Sequence, residues 1–146
     1  MSAYLLDTNV LIALAWPQHI HHATAHDWFA RVGNRAWATC PLTQLAFLRI
    51  SSNSKIIPEA VTPRAGLEML RRIIAVPGHE FWADDVPPTE AAVFESVALV
   101  GHRQITDAYL LALAQRRKGK LATLDGGIAE LIPARNERAR RIAVVG

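Results

Sequence analysis

The sequence lacks the features of disulfide-bonded, membrane-spanning and secreted proteins. Cys40 is its only cysteine, so no intrachain disulfide can form and a reducing, cytoplasmic compartment is expected. The longest apolar runs, Val10–Trp16 and Ala108–Ala114, are about seven residues long, whereas a membrane helix needs roughly 20. No basic leader precedes the first apolar run, so we expect no signal peptide and no membrane association.

Sequence motifs for phosphate loops and zinc proteases are missing as well. There is no GxGxxG or GxxxxGK[ST] pattern, and Gly126-Gly127 is too short to replace one. His22 and His26 are spaced to share a helix face as zinc ligands, but no HExxH pattern or nearby cysteine accompanies them. The cluster from His19 to His26 is therefore interpreted as surface histidines, with contact to RNA or a protein partner as the alternative.

The chain does have enough apolar residues for a sizeable core. Its 146 residues are 51% hydrophobic, which predicts one folded domain over residues 1–146. The net charge of +3 permits an anionic partner without requiring one. Eight basic and three acidic residues lie between Arg116 and Arg141, which suits either a phosphate contact or a solvated surface.

The order of apolar segments predicts an α/β fold. Short, continuously apolar strands are expected at Ala3–Leu6, Ala36–Cys40, Phe81–Trp82, Leu121–Leu124 and Ile142–Val145. Helices are expected at Val10–Trp16, Pro41–Ser52 and Thr106–Arg117, and at His21–Val32 with Gly33 as its C-cap. Another helix is expected to begin at the Thr62-Pro63 cap. A further helix is expected to begin after Thr89, with Val93, Val97 and Val100 facing inward. This alternation predicts a parallel central sheet flanked by helices on both faces.

Three aspartates are placed where such a fold binds ligands, at the carboxyl ends of its strands. Asp7 and Asp125 each follow a buried strand directly, and Asp107 lies in the first turn of a strongly apolar helix. If the first and fourth strands are neighbours, the three carboxylates meet. Each also has an ordinary interpretation, because Asp7 could be a helix N-cap, Asp107 a residue favoured by the helix dipole, and Asp125 a turn residue.

Converging carboxylates repel one another, and cations relieve the repulsion. Hard ions such as Mg²⁺ or Mn²⁺ prefer oxygen ligands, and metal-bound water is a nucleophile at neutral pH. Asp7, Asp107 and Asp125 are therefore predicted as catalytic residues and as metal ligands for hydrolysis of a phosphodiester.

Three motifs resemble the PIN domain, and more narrowly the VapC-type toxins of bacterial toxin–antitoxin pairs. They are LLDTNVLIAL near the N-terminus, ITDAYLLALA before a late strand and LATLD at the end of that strand. The resemblance implies a Mg²⁺- or Mn²⁺-dependent endoribonuclease, with a structured RNA such as tRNA or rRNA as substrate. It also implies a VapB-type antitoxin and a homodimer. It assigns metal binding to Asp7 and Asp107, completion of the acidic site to Asp125, and a supporting hydroxyl to Thr123.

One position departs from the family pattern. The resembling family usually carries a glutamate three residues after a threonine and three before an arginine, and between Thr43 and Arg49 the matching residue is Ala46. Neither Gln44 nor the pair Asp84 and Asp85 is expected to replace it.

Two further functions stay open beside the ribonuclease. Because of Ala46, the chain could be a weakened PIN-fold protein that binds RNA or an antitoxin without efficient cleavage. Asp7 could also be the covalent nucleophile of a phosphotransfer enzyme. Haloacid-dehalogenase-like enzymes usually have a second aspartate two residues on, where this chain has Asn9, so this alternative ranks last.

Overall fold

A computed structural model of the chain describes residues 2–90, 94, 97–98 and 101–146. Its strands are β1 (Tyr4–Leu6), β2 (Trp37–Thr39), β3 (His79–Phe81), β4 (Lys120–Thr123) and β5 (Ile142–Val144). Its helices are α1 (Thr8–Ala15), α2 (His22–Arg31), α3 (Pro41–Ser51), α4 (Pro63–Ile74), α5 (Ile105–Arg116) and α6 (Arg135–Arg141). Short 3₁₀ helices cover Gly33–Arg35, His102–Gln104 and Gly126–Leu131.

The five strands form one parallel sheet in the order β3-β2-β1-β4-β5. The predicted α/β architecture is therefore confirmed, and so is the pairing of the first strand with the fourth. Leu5 lies beside Leu121 and Leu6 beside Ala122, which brings the residues after both strands to the same edge of the sheet. We call this the carboxyl edge.

Helices pack on both faces of the sheet, as predicted. Leu5, Ala38 and Leu121 point toward α5, whose residues from Ala108 to Ala114 are all buried. Adjacent residues along a strand point to opposite faces, so Leu6, Trp37 and Ala122 lie in a second core with residues of α1, α2, α3 and α4. Both faces being covered explains why the strands read as continuous apolar runs.

Helix boundaries follow the local chemistry of their caps. Thr62 accepts a hydrogen bond from the amide of Ala65 and begins α4, with Pro63 at the first helical position, as predicted. Gly33 is not the C-cap of α2, because Val32 holds that position and Gly33 starts a 3₁₀ helix. The ring of Trp28 lies against Gly33, where a Cβ atom would come within 2.6 Å of it, so close packing explains this glycine.

Two further predictions are shifted or untested. The third strand ends at Phe81, and Trp82 follows it as a buried core residue, because the strand pairs only along residues 79–81 with β2. The helix predicted after Thr89 falls largely outside the described residues, including Val93 and Val100. Among the helices that the structure describes, none is long and apolar enough to cross a membrane.

Candidate active site

Asp7 lies at the carboxyl edge as the N-cap of α1. Its backbone amide donates to the carbonyl of Ala122, which continues the pairing with β4 beyond the end of the strand. Its side chain is only 7% exposed. Oδ1 accepts a 2.8 Å hydrogen bond from the amide of Thr8, so the N-cap interpretation of Asp7 is correct. An N-cap role uses one carboxylate oxygen and leaves the second for other contacts.

That second oxygen, Oδ2, accepts a 2.8 Å hydrogen bond from the hydroxyl of Thr123. Thr123 is fully buried at the last position of β4. Its oxygen also accepts from Asn9 Nδ2 at 3.2 Å and from the amide of Asp125 at 3.1 Å. One donated and two accepted bonds use the full capacity of a hydroxyl, so Thr123 is fixed as the hub of the site.

Asn9 is a site residue whose role the sequence interpretation missed. Its Oδ1 accepts from the amide of Leu124 at 3.1 Å, while its Nδ2 donates to Thr123. The amide of Asn9 thereby ties α1 to the chain that leaves β4, just before Asp125. The signal in the sequence was an asparagine two residues after the aspartate at the end of β1. An asparagine side chain at such a position can form hydrogen bonds with backbone groups.

Asp125 and Asp107 stand more open to solvent than Asp7. Asp125 is exposed and accepts from the amide of Gly127 at 2.9 Å, so its predicted turn role is correct. Asp107 is half-buried in the first turn of α5, as predicted. Neither of these structural roles occupies all the lone pairs of the carboxylate.

The three carboxylates act on one another electrostatically. Burial and, after it, the negative charges of Asp7 and Asp125 together raise the pKa of Asp107 to about 6. Burial also raises the pKa of Asp7, opposed by the hydrogen bonds from Thr123 and Thr8 and reinforced by Asp125. The sheet topology thus brings together the three aspartates that the sequence singled out.

The donor set suits a hard divalent ion that keeps part of its water. All three side chains offer oxygen atoms, and their mutual repulsion is the condition that a cation relieves. Within the described part of the chain, no three His, Cys, Asp or Glu side chains are arranged to hold a metal by themselves. Mg²⁺ typically binds proteins through one or two carboxylates and completes its shell with water and phosphate oxygens.

The residues around Ala46 have other tasks. Ala46 is half-buried on α3 and contributes no polar atom. Thr43 caps α3 through bonds to both the amide and the carbonyl of Cys40, and Gln44 Nε2 donates to Thr39 at 2.9 Å. Asp85 pairs with Arg117 at 3.2 Å. These contacts support the expectation that Gln44 and Asp85 do not stand in for the missing glutamate.

The basic C-terminal segment is partly neutralised within the fold. Arg116 pairs with Glu90 at 3.2 Å, and Arg140 pairs with Glu137 at 3.3 Å. All of these side chains are at least 40% exposed, so the pairs are weak and a phosphate could displace them. Trp28, Trp37 and Trp82 are buried in the core.

Comparison with known proteins assigns the sequence to a family. The family model described as PIN domain matches residues 4–132. Ribonuclease VapC38 of Mycobacterium tuberculosis is 47% identical over 132 residues, covering 90% of this chain and 91% of that protein. Ribonuclease VapC39 of the same species is 43% identical over 126 residues, covering 86% of this chain and 91% of that protein. Ribonuclease VapC29 of the same species is 40% identical over 127 residues, covering 87% of this chain and 89% of that protein.

Proposed function

Since this chain belongs to the PIN-domain family, we propose that it is an endoribonuclease and the toxin of a VapBC-type toxin–antitoxin pair. This chain matches most of the length of relatives named as VapC ribonucleases, which supports a shared activity. The observation that carries the proposal is the meeting of Asp7, Asp107 and Asp125 at the carboxyl edge, with the pKa of Asp107 raised to about 6 by burial and by the other two.

The cofactor we propose is Mg²⁺ or Mn²⁺, bound at the carboxylates of Asp7, Asp107 and Asp125 together with water and RNA phosphate oxygens. Such an ion, when bound, supplies Lewis acidity to a phosphoryl oxygen and lowers the pKa of water at the site. A site whose ligand atoms are all oxygens can bind any hard cation. It disfavours softer cations, which prefer sulfur ligands. The absence of a carboxylate at position 46 leaves one negative charge fewer to attract the ion, so we expect weak binding that RNA phosphate strengthens.

The protein's own part in the reaction is to position these carboxylates. The hydroxyl of Thr123 and the amide of Thr8 each donate a hydrogen bond to one oxygen of Asp7, so they hold the carboxylate in place and favour its ionised form against the effect of burial. Asn9 holds the end of β4 against α1 and so sets the place of Asp125. Positioning to within a fraction of an ångström is what such a site requires for efficient reaction.

We also propose a VapB-type antitoxin as partner and a homodimer as the assembled state. The names of the relatives support an antitoxin partner, since a VapC toxin is paired with a VapB protein. Exposed apolar side chains near the carboxyl edge, Leu45 and Ile105, are about half exposed and suit a protein contact. Light scattering of the purified chain measures the oligomeric state directly.

RNA-end mapping tests the function most sharply. Brief expression of the wild type should generate new RNA 5′ ends at defined positions, and expression of Asp7→Ala should not. With purified protein, Mg²⁺ or Mn²⁺ should support cleavage of the mapped RNA and EDTA should stop it. New ends that appear equally with Asp7→Ala would contradict the proposal, because that variant lacks the most deeply placed carboxylate.

A further inference from the structure

Two histidines on α2 contact the C-terminal end of α1. Nδ1 of His22 lies 2.7 Å from the carbonyl oxygen of Ala13. Nε2 of His26 lies 2.9 Å from the carbonyl oxygen of Leu14. These carbonyls belong to the last turn of α1, where helical partners run out. The two imidazoles therefore cap α1 from the neighbouring helix.

The caps determine where each ring carries its proton. A carbonyl oxygen can only accept, so the nitrogen that faces it must be the N–H of the ring. His22 is consequently protonated at Nδ1 and His26 at Nε2. In the neutral rings, His22 Nε2 and His26 Nδ1 each retain a lone pair, and each points largely away from the carbonyl that its ring caps.

The two rings are also close to each other. Their centroids are 4.3 Å apart and their planes are inclined at 56°. His22 is half-buried and His26 is exposed, so an ion between them would lie at the surface with access to water. Imidazoles four residues apart on a helix lie on one face, which suits coordination of a single ion by both.

We propose that His22 and His26 bind one late first-row divalent ion, Zn²⁺ being the reference case, through His22 Nε2 and His26 Nδ1. A histidine that binds a metal typically donates its other N–H to a backbone carbonyl or carboxylate, and both rings already do so. Water completes the tetrahedral shell, because no third ligand stands in place in the described part of the chain. The ion would hold both rings of α2 in the positions in which they cap α1.

The same argument excludes a neighbouring histidine as a ligand. His19 Nδ1 accepts a 3.0 Å hydrogen bond from the backbone amide of His21, so its lone pair is in use. Its proton therefore lies on Nε2, which cannot bind a metal without losing it. His19 thus provides a matched control within the same cluster. The proposed site is separate from the acidic site, whose oxygen donors favour harder ions.

Glutamine substitutions test the proposal without removing the caps. Glutamine can still donate an N–H to a carbonyl, but it has no second ring nitrogen, so His22→Gln and His26→Gln should fold and lose the ion. Zn²⁺ is titrated by calorimetry in excess Mg²⁺ into the wild type, these two variants and His19→Gln. The wild type and His19→Gln should bind one Zn²⁺ with the same affinity, and the other two should bind at least about tenfold more weakly.

Nitrogen-15 spectra of the histidine rings check the atoms directly. The metal-free protein should show the Nδ1–H form of His22 and the Nε2–H form of His26, and Zn²⁺ should shift His22 Nε2 and His26 Nδ1. Equal Zn²⁺ affinity in all four proteins, loss of binding in His19→Gln, the opposite ring protonation, or no binding by the wild type would each overturn the proposal. Thermal unfolding of each variant separates lost binding from lost folding.

Discussion

The hydroxyl of Thr123 donates a 2.8 Å hydrogen bond to Oδ2 of Asp7 and so joins two residues 116 positions apart in the chain. Parallel pairing of β1 with β4 places the two residues side by side at the carboxyl edge. The bond favours the ionised form of Asp7 against the effect of burial, which raises the pKa of this carboxyl. Because burial outweighs the hydrogen bonds and the net pKa of Asp7 is raised, a cation beside this carboxylate would stabilise its ionised form.

Thr123→Val should weaken both the fold and the site. The substitution keeps the shape of the side chain but leaves Asp7 Oδ2, Asn9 Nδ2 and the amide of Asp125 without the hydroxyl. Unsatisfied buried groups cost about 1–3 kcal/mol, so the free energy of unfolding should fall by that order. Urea unfolding measures it. Thr123→Ser keeps the hydroxyl and should therefore retain RNA cleavage. Equal losses of cleavage in Thr123→Val and Thr123→Ser would contradict a role for the hydrogen bond.

Removing either of the two less exposed carboxylates should abolish RNA cleavage. Asp7→Ala and Asp107→Asn should each lower the cleavage rate at least about 100-fold, the scale of losing a major electrostatic contact in a hydrolytic site. Initial rates with excess Mg²⁺ on the mapped RNA measure the effect. Asp27→Asn is the matched control, because Asp27 pairs with Arg31 on the outer surface of α2 and should leave the rate unchanged.

The stability of the metal-free protein should reveal the repulsion among the carboxylates. The folded pKa of Asp107 is about 6 and its ordinary value is 3.8, so protonation stabilises the fold fully below pH 3.8. That contribution disappears as the pH rises through about 6. Asp107→Asn should therefore be more stable than the wild type at pH 7, by about 1 kcal/mol after solvent screening of a half-exposed group.

The check is the difference in melting temperature between Asp107→Asn and the wild type in EDTA at pH 4 and at pH 7. The difference should be small at pH 4 and should favour the variant at pH 7. Adding Mg²⁺ should raise the melting temperature of the wild type more than that of the variant, because a bound ion replaces the proton in relieving the repulsion. A variant that is less stable at pH 7 would rule out this account.

Ala46→Glu distinguishes a weakened enzyme from a binding protein. A carboxylate at this half-buried position would add a negative charge where the family pattern carries one, and the metal affinity should rise on the order of tenfold. RNA cleavage at low Mg²⁺ should rise with it. Ala46→Gln has the same size without the charge and should show no gain. If neither the wild type nor Ala46→Glu cuts RNA that both bind, the binding function is favoured instead.

The sequence by itself determined the alternation of strands and helices, the two covered faces of the sheet and the three aspartates, because these depend on local patterns. Continuous apolar strands indicate burial on both faces, and a charged residue at a strand end stands out against them. The Thr62 cap and the apolar helix α5 were likewise readable from a few adjacent residues.

Only the tertiary structure decided which side chains support Asp7 and which ring nitrogens of His22 and His26 remain open. These facts depend on contacts between residues distant in the chain, such as Thr123 with Asp7 and His26 with Leu14. A hydroxyl or an imidazole can form several different hydrogen bonds, and the partner that the fold places beside it determines which of them forms. The partner is set by strand order and helix packing, which no local pattern specifies.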